Sequence, residues 1–293
     1  MAIQTATTGN LANAQNIILT KARFTAENNT PVINLFEPFT LPQGAKTVTV
    51  PKVGQATFSL LTDGVDMTDT EDIGMTTTDL TTAERGAKFI LTDKLVRQAN
   101  DNTFAMVGKQ LADGLARIRN TDGIALYTNL NGGTALGADN IDFEIINAAA
   151  CIAFARANNF PNPVYIVHHP NAVYQLMASM AIVPETAGDP LAGADDDRSA
   201  LLKNFYKMRF DNVGIFQTAD IAVESGVDSG IGVIASEQAM AYLQSVGFQS
   251  KMEEDISLRA TEVVVIADYG VFELDDGYGA GIQYEIGAPS TSN

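Results

Sequence analysis

Two adjacent histidines, His168 and His169, are the only histidines in this chain of 293 residues. They follow the apolar run VYIV and precede Pro170. Neighbouring side chains of a strand point to opposite faces, so two adjacent histidines on a strand do not easily hold one metal ion. Pro170 favours an extended residue before it and suits the first position of a helix. The stretch therefore predicts a strand-to-helix junction, with His168 on the face of Val164 and Ile166.

Other residues that could do chemistry are acidic or isolated. Glu253, Glu254 and Asp255 could supply the carboxylates of a hydrolase, but on a strand they alternate in direction, which favours solvated charge. The serine of GVDSG (226–230) does not fit a nucleophile elbow, and GYGAG (277–281) is a turn without the following βαβ unit of a dinucleotide site. We predict no catalytic, cofactor-binding or metal-binding residues, and no enzyme activity.

The loop 184–198 is the remaining candidate for metal binding. Its residues Asp195, Asp196 and Asp197 could gather calcium. The loop lacks the alternating ligand spacing and the following Glu of an EF-hand, so a solvated loop is the preferred interpretation.

Charge and cysteine content exclude further classes. The chain has 18 Lys and Arg against 35 Asp and Glu, a formal net charge of −17, which disfavours nonspecific binding to phosphate backbones. Cys151 is the single cysteine, so neither an intrachain disulfide nor a cysteine-based zinc site can form within one chain. No window resembles a signal peptide or a membrane span. We expect a soluble protein made in the cytoplasm.

The first 44 residues or so are rich in Ala, Thr, Asn and Gln, and their apolar residues come in small clusters. These are Ile17, Ile18, Leu19, Val32, Ile33, Leu35 and Phe36. The pattern is typical of an arm that needs a partner to bury its apolar residues.

A strand and its return follow the arm. KTVTVPKV, from Lys46, alternates apolar and polar residues as a half-exposed strand does, and Pro51 favours an edge position. A Thr-rich run from Thr76 to Asp93 is predicted to return alongside it. The acidic residues between them form either a solvated loop or the tip of a long two-stranded flap.

A long amphipathic helix is predicted from Thr103 to about Thr128. Its apolar face recurs at helical spacing, and the helix would be roughly 39 Å long. Gly108 and Gly114 each cost about 1 kcal/mol relative to Ala, which suggests close packing against another element. The apolar face consists of Phe104, Val107, Leu111, Leu115 and Ile118.

Strands and helices alternate between about 142 and 246, which predicts an α/β middle region. Its first helix spans 142–158, and a short helix is also expected at 93–99. GIGVIASEQAMAYLQSV is predicted as a strand that leads into a helix, and the remainder of the chain as strands. The predicted apolar side of the first helix is Phe143, Ile146, Ala150, Ala153 and Phe154, with Cys151 beside them as a packing thiol.

The order of these elements resembles major capsid proteins of tailed phages with the Hong Kong 97 type fold, over nearly the whole chain. Three stretches carry the resemblance: FILTDKLVRQANDNTFAMVGKQLADGLARIRNTDGIALYTN is similar to the family's strand, short helix and spine helix, VYIVHHPNAVYQL to its axial-domain strand and helix start, and SLRATEVVVIADYGVFEL to its closing strands.

The resemblance implies an α+β chain with four parts. These are an N-terminal arm (1–45), an extension loop formed by a β-hairpin (46–90), a peripheral domain with the spine helix (91–139 and 252–293), and an α/β axial domain (140–251).

The function that the resemblance implies is a coat protein that self-assembles, through pentamers and hexamers, into the icosahedral head shell around double-stranded DNA. Expected partners are further copies of the chain, portal and scaffolding proteins, and in some cases decoration proteins. DNA would be enclosed without sequence-specific binding, and no membrane is involved. The protein would be made in the host cytoplasm and reside in the virion. An encapsulin-type bacterial compartment shell is the alternative, and no cofactor is expected for either.

Overall fold

The computed structural model describes residues 32–54, 58, 60, 63, 64, 66, 74–94, 103–181, 208–210, 213–224 and 226–289. This part of the chain is a mixed α+β structure. Its strands are β1 (Glu37–Thr40), β2 (Thr47–Lys52), β3 (Thr76–Thr81), β4 (Ala83–Thr92), β5 (Leu136–Gly137), β6 (Val164–His168), β7 (Met208–Phe210), β8 (Val213–Gln217), β9 (Ser229–Ser236), β10 (Met240–Asp255), β11 (Ala260–Glu273) and β12 (Gly279–Glu285). Its α-helices are α1 (Thr103–Ile124), α2 (Ile145–Ala157) and α3 (Pro170–Ala181).

The strands form three sheets. A four-stranded sheet has the order β1-β10-β11-β4, a six-stranded sheet the order β5-β12-β9-β6-β8-β7, and β2 pairs with β3 in a ribbon of two. In the four-stranded sheet β1 runs parallel to β10, while β10, β11 and β4 are antiparallel neighbours. In the six-stranded sheet β6 lies parallel to β8 and antiparallel to β9.

The six-stranded sheet separates two apolar cores, because successive strand residues face opposite sides. Ile166, on one face, packs with α2 and α3. Tyr165 and Val167, on the other face, belong to the second core, where they pack with residues of the four-stranded sheet and with the start of the described chain. The alternation predicted for VYIVH is therefore confirmed.

The long helix is confirmed in position and length. α1 spans Thr103–Ile124 and continues as a 3₁₀ helix, Ala125–Thr128. Leu111 is buried against β11, whereas Ile118 is 42% exposed. The close packing expected at Gly108 and Gly114 is wrong, since no described atom lies within 4 Å of a Cβ placed there. The close approach occurs at Gly123, where a Cβ would meet Ile33 at 2.9 Å and Phe36 at 3.1 Å.

The arm prediction is wrong for its last residues. Val32, Ile33 and Phe36 are buried within the chain, and β1 pairs with β10. These residues need no partner because α1 and the second core cover them. Ile17, Ile18 and Leu19 lie outside the described residues.

The helix predicted after β9 is also wrong. A three-residue 3₁₀ helix, Glu237–Ala239, is followed directly by β10. Met240 and Tyr242 face the second core, while Ala241 and Leu243 face a smaller cluster on the other side. A strand buried on both faces shows no period of two, so its sequence resembles a buried helix.

The second predicted helix exists, and its predicted apolar side is correct for Phe143 and Phe154, which pack in the first core, but wrong for Ile146, Ala150 and Ala153. Ala148, Cys151, Ile152 and Ala155 are buried, whereas Ile146 is 72% exposed. Cys151 is a buried packing residue, as expected. Of the helix predicted at 93–99, only the first two residues are described, and both are helical.

The sheets group the C-terminal strands differently from the expected domain segments. β10 pairs with β11 in the four-stranded sheet, and β12 pairs with β9 in the six-stranded sheet. The chain therefore crosses between the sheets at residues 237–239 and again at 274–278. The GYGAG stretch begins in a 3₁₀ turn and continues into β12.

Candidate functional site: the flap and its base

We call the ribbon of β2 and β3, together with residues 53–75 that join them, the flap. Its register pairs Thr47 with Thr81 and Lys52 with Thr76, as the predicted strand and return require. A hydrogen bond of 2.6 Å from Thr49 Oγ1 to Asp79 Oδ1 links the two strands. The predicted strand and its return are thus confirmed over 47–52 and 76–81. The remainder of the predicted return is wrong, since residues from Ala83 onwards form β4 and pair with β11 in the four-stranded sheet.

The base of the flap is packed on its own chain. Leu80 of β3 is fully buried with Ala241 and Leu243 of β10. Thr82, between β3 and β4, donates a 2.9 Å hydrogen bond to Asp268 of β11. Partly buried side chains complete the cluster: Phe39, Leu41, Val48, Val50, Phe272 and Leu274. The base of the flap therefore buries its apolar residues within its own chain.

Apolar side chains towards the tip of the flap are exposed. Phe58 is 94% and Leu60 98% accessible to solvent, and Val53 and Met75 are also exposed. Large apolar side chains that are this exposed offer surface that a partner can cover. The flap therefore combines a base fixed on its own chain with apolar side chains left uncovered.

The two histidines terminate β6 and start α3. His168 Nδ1 accepts the backbone N–H of His169 at 2.8 Å, and His169 Nδ1 accepts that of Asn171 at 3.2 Å. Both rings thus accept backbone N–H groups at the junction, and the second satisfies a donor in the first turn of α3. The predicted junction is confirmed, although the sequence pattern did not reveal this capping role.

His168 is fully buried in an aromatic environment. Its ring stacks on Phe143 at 5.6 Å and lies 6.1 Å from Tyr284, whose hydroxyl is 3.7 Å from Cys151 Sγ. Burial, and then the neighbouring His169, lower the pKa of His168 to about 3; an interaction with the Ile282 backbone opposes the shift. Nε2 has no partner in hydrogen-bond geometry among the described residues. A neutral, enclosed ring of this kind is unsuited to acid-base chemistry near pH 7.

The acidic residues of β10 lie at the far end of the β10–β11 hairpin. Glu253 and Glu254 are exposed. Asp255 Oδ1 accepts hydrogen bonds from the Ser257 hydroxyl and from the N–H groups of Ser257 and Leu258, which closes the turn. The hydrogen bond from the Ser257 side chain is the main cause that lowers the pKa of Asp255. The carboxylates are therefore turn-forming or solvated groups.

The described ranges contain no group of three or more His, Cys, Asp or Glu side chains arranged to hold a metal ion. Asp195, Asp196 and Asp197 lie outside the described residues. Among the helices that the structure describes, none is long and apolar enough to cross a membrane.

No protein-family model matches the chain, and no curated protein matches its sequence. Solved structures do match. "Mycobacterium phage Che8" aligns with a TM-score of 0.66 at 15% identity, over 90% of this chain and 94% of that chain. "Capsid of native GTA particle computed with C5 symmetry" aligns with a TM-score of 0.68 at 11% identity, over 93% and 98%.

A bacterial compartment shell matches equally well. The holo-SrpI encapsulin complex from Synechococcus elongatus PCC 7942 aligns with a TM-score of 0.65 at 11% identity, over the full length of both chains. The chain therefore has the fold that these phage and encapsulin shell subunits share. At these identities the likeness concerns the fold alone.

Proposed function

We propose that the chain is the major capsid protein of a tailed phage, of the Hong Kong 97 type, and that it assembles into an icosahedral shell around double-stranded DNA. The observation that carries this proposal is the fold match over nine-tenths of the chain to phage capsid subunits. The flap supports it, because Phe58 and Leu60 offer apolar surface that a neighbouring copy would cover.

The four parts expected from the sequence enter the proposal as roles. The arm (1–45) and the flap contact neighbouring copies, the spine helix α1 and the four-stranded sheet form the periphery, and the six-stranded sheet with α2 and α3 clusters around the five-fold and six-fold axes. Many weak contacts per subunit are enough to close such a shell, because their effects combine. The role is structural and requires no catalytic residue.

Partners and location follow from this role. The chain would contact portal and scaffolding proteins, and in some shells decoration proteins, and it would reside in the virion after synthesis in the host cytoplasm. An inner face that carries part of the net charge of −17 would leave the enclosed DNA mobile, because acidic surfaces do not adsorb phosphate backbones.

An encapsulin-type shell is the second candidate, favoured by the full-length match to the SrpI subunit. The genes beside the coding sequence distinguish the two. Portal and terminase genes support the phage shell, whereas a peroxidase or ferritin-like cargo gene supports the compartment.

Electron microscopy of the purified full chain in negative stain tests the shell function itself. Closed particles of uniform diameter are expected. A chain that stays a compact, protease-resistant monomer at high concentration contradicts both candidates.

A matched pair of variants tests the part played by the flap. Leu60→Ser is expected to prevent particle formation while leaving the melting temperature of the dissociated subunit unchanged. Ile256→Ser, in the turn between β10 and β11, removes a similarly exposed apolar side chain outside the flap, the arm and the axial elements and is the control. Particle formation by Leu60→Ser equal to that of the control contradicts the role given to the flap.

A further inference from the structure

All three crossings of the described chain between its two larger sheets meet in one place. They are residues 129–134 after α1, 237–239 between β9 and β10, and 274–278 between β11 and β12; together we call them the crossover hub. Leu274 N and Asp275 N both donate to Ala239 O, at 2.9 and 3.2 Å. Asn131 N donates to Asp276 O at 3.3 Å, and Gly132 N donates to both carboxylate oxygens of Asp276 at 2.9 Å.

The hub also joins the two apolar cores. Tyr278 packs against both clusters, one on each face of the six-stranded sheet. Leu130, fully buried, lies so close to Gly279 that a Cβ there would meet its Cδ1 at 2.8 Å. Since every covalent link between the sheets passes through this packed group, a change in the relative position of the sheets must alter the hub.

Lys52, the last residue of β2, connects the flap to the hub. Its Nζ lies 2.6 Å from Asp275 Oδ2 and 5.7 Å from the centre of the Tyr278 ring. The other oxygen, Asp275 Oδ1, accepts the N–H of Gly277 at 3.0 Å and so shapes the turn before β12. One ammonium group therefore contacts both ends of the segment that carries the chain from one sheet to the other.

The pair is more than a solvated surface contact. The Asp275 side chain is only 10% exposed, against 54% for Lys52. Asp275 also lies in an acidic neighbourhood. The pKa of Glu273 is raised mainly by burial and further by the negative charges of Asp276 and Asp275. Removal of the ammonium group would leave a mostly buried carboxylate without its counter-charge, which is costlier than loss of an exposed pair. The aromatic ring adds a cation–π attraction.

We propose that Lys52 is a latch that couples the flap to the crossover hub, so that the direction of the flap follows the relative position of the two sheets. The ribbon is also held by Leu80 at the end of β3 next to β4, but Lys52 is at the opposite end of the ribbon, where the chain leaves for the tip. The latch is a property of the single chain. Its use in fitting the flap to a neighbouring copy rests on the proposed function.

Amide hydrogen exchange of the full chain, in its dissociated form, tests the latch. Lys52→Met is expected to speed exchange about tenfold in two places, the flap strands (47–52 and 76–81) and the hub segment 274–278. Strands β6 and β9 should keep their protection. Lys46→Met, an exposed lysine just before β2, is the matched control and should change neither. Lys52→Arg should retain protection, since it keeps the charge and can stack on Tyr278.

Two results would overturn the proposal. One is an exchange rate in Lys52→Met equal to that of the wild type, which would show that Lys52 does not hold the flap to the hub. The other is faster exchange in the flap strands with an unchanged exchange rate in 274–278, which would show that Lys52 stabilises the flap alone and does not couple it to the hub. If Lys52→Met loses protection throughout, Asp275→Asn decides, because it keeps an oxygen that can accept the Gly277 N–H but removes the counter-charge of Lys52. A latch requires Asp275→Asn to speed exchange in the flap strands, and unchanged exchange there overturns the proposal. These measurements stand whether or not the chain forms shells, so failure of the latch and failure of the proposed function are distinguishable.

Discussion

The hydroxyl of Tyr269 donates a hydrogen bond of 2.8 Å to Asp122 Oδ2, which joins β11 of the four-stranded sheet to the last turn of α1. Arg85 of β4 lies 3.3 Å from the same oxygen. Three elements that are far apart in sequence therefore share one carboxylate. Burial, and then the hydrogen bond to Asp122, raise the pKa of Tyr269.

Tyr269→Phe is expected to lower the free energy of unfolding by about 1.5–3 kcal/mol, because hydrogen bonds to charged groups contribute this much. The raised pKa of Tyr269 means that its contribution is fully present below pH 10 and is lost as pH rises through the folded-state value. Urea unfolding at pH 7, 9 and 11 measures this. If the free energies of unfolding of the wild type and Tyr269→Phe differ by the same amount at pH 11 as at pH 7, the raised pKa of Tyr269 is contradicted.

The hydroxyl groups of Tyr127 and Tyr165 are buried and make no hydrogen bond within the described ranges. Burial is the main cause that raises both pKa values. A buried polar group without a partner costs about 1–3 kcal/mol. Tyr127→Phe and Tyr165→Phe should therefore leave the melting temperature unchanged or raise it. Thermal unfolding of each variant measures this, and a fall of several degrees would show that the hydroxyl has a partner in the folded protein.

His168 makes the stability of the chain depend on pH in a defined range. The pKa of His168 is lowered from the ordinary 6.5 to about 3 in the folded protein. Between these two pH values the unfolded state therefore binds a proton that the folded state does not bind. Its contribution is complete above pH 6.5 and decreases as pH falls towards 3, by about 1.4 kcal/mol per pH unit once the unfolded ring is charged.

The variant that tests this is His168→Asn, whose side-chain oxygen can still accept the His169 N–H but cannot titrate in this range. Denaturant unfolding between pH 7 and 5 gives the free energy of unfolding as a function of pH. The slope of this plot should be shallower in the variant than in the wild type, by up to the uptake of about one proton on unfolding. Equal slopes would mean that the ring is protonated in the folded protein.

The flap should separate stability from assembly. Leu80→Ala at the base is expected to destabilise the dissociated subunit by about 2–5 kcal/mol, as truncations of fully buried leucines do. Leu60→Ala near the tip should change its stability by less than about 0.5 kcal/mol, since the side chain is 98% exposed. Chemical denaturation of both variants checks this contrast. A loss for Leu60→Ala as large as that for Leu80→Ala would show that the tip folds back on its own chain.

Local patterns were sufficient for much of the fold. The alternation in KTVTVPKV located β2, the helical spacing located α1, and the HHP sequence located the end of β6 and the start of α3. These elements have one solvated side or a proline boundary, so their period or their end is visible in the sequence.

Features that depend on tertiary contacts were missed. β10 begins buried on both sides, so Met240–Leu243 carries no period that distinguishes strand from helix. In the Ala-rich α2, Ala148 and Ala155 are buried whereas Ala149, Ala150 and Ala153 are exposed, so composition alone did not define the covered face. The crossover hub joins residues 129–134 to two segments more than 100 residues further along the chain, and no local pattern could place Lys52 beside Asp275.

Assembly itself should respond to salt. A chain with a net charge of −17 repels its copies, and salt shortens the range of that repulsion from about 30 Å at 0.01 M to about 8 Å at 0.15 M. Light scattering at fixed protein concentration should therefore rise as NaCl is increased over this range. KCl at the same ionic strength is the control, since screening does not depend on the identity of the cation. Scattering that falls with added salt would indicate that attraction between opposite charges dominates the contacts between subunits.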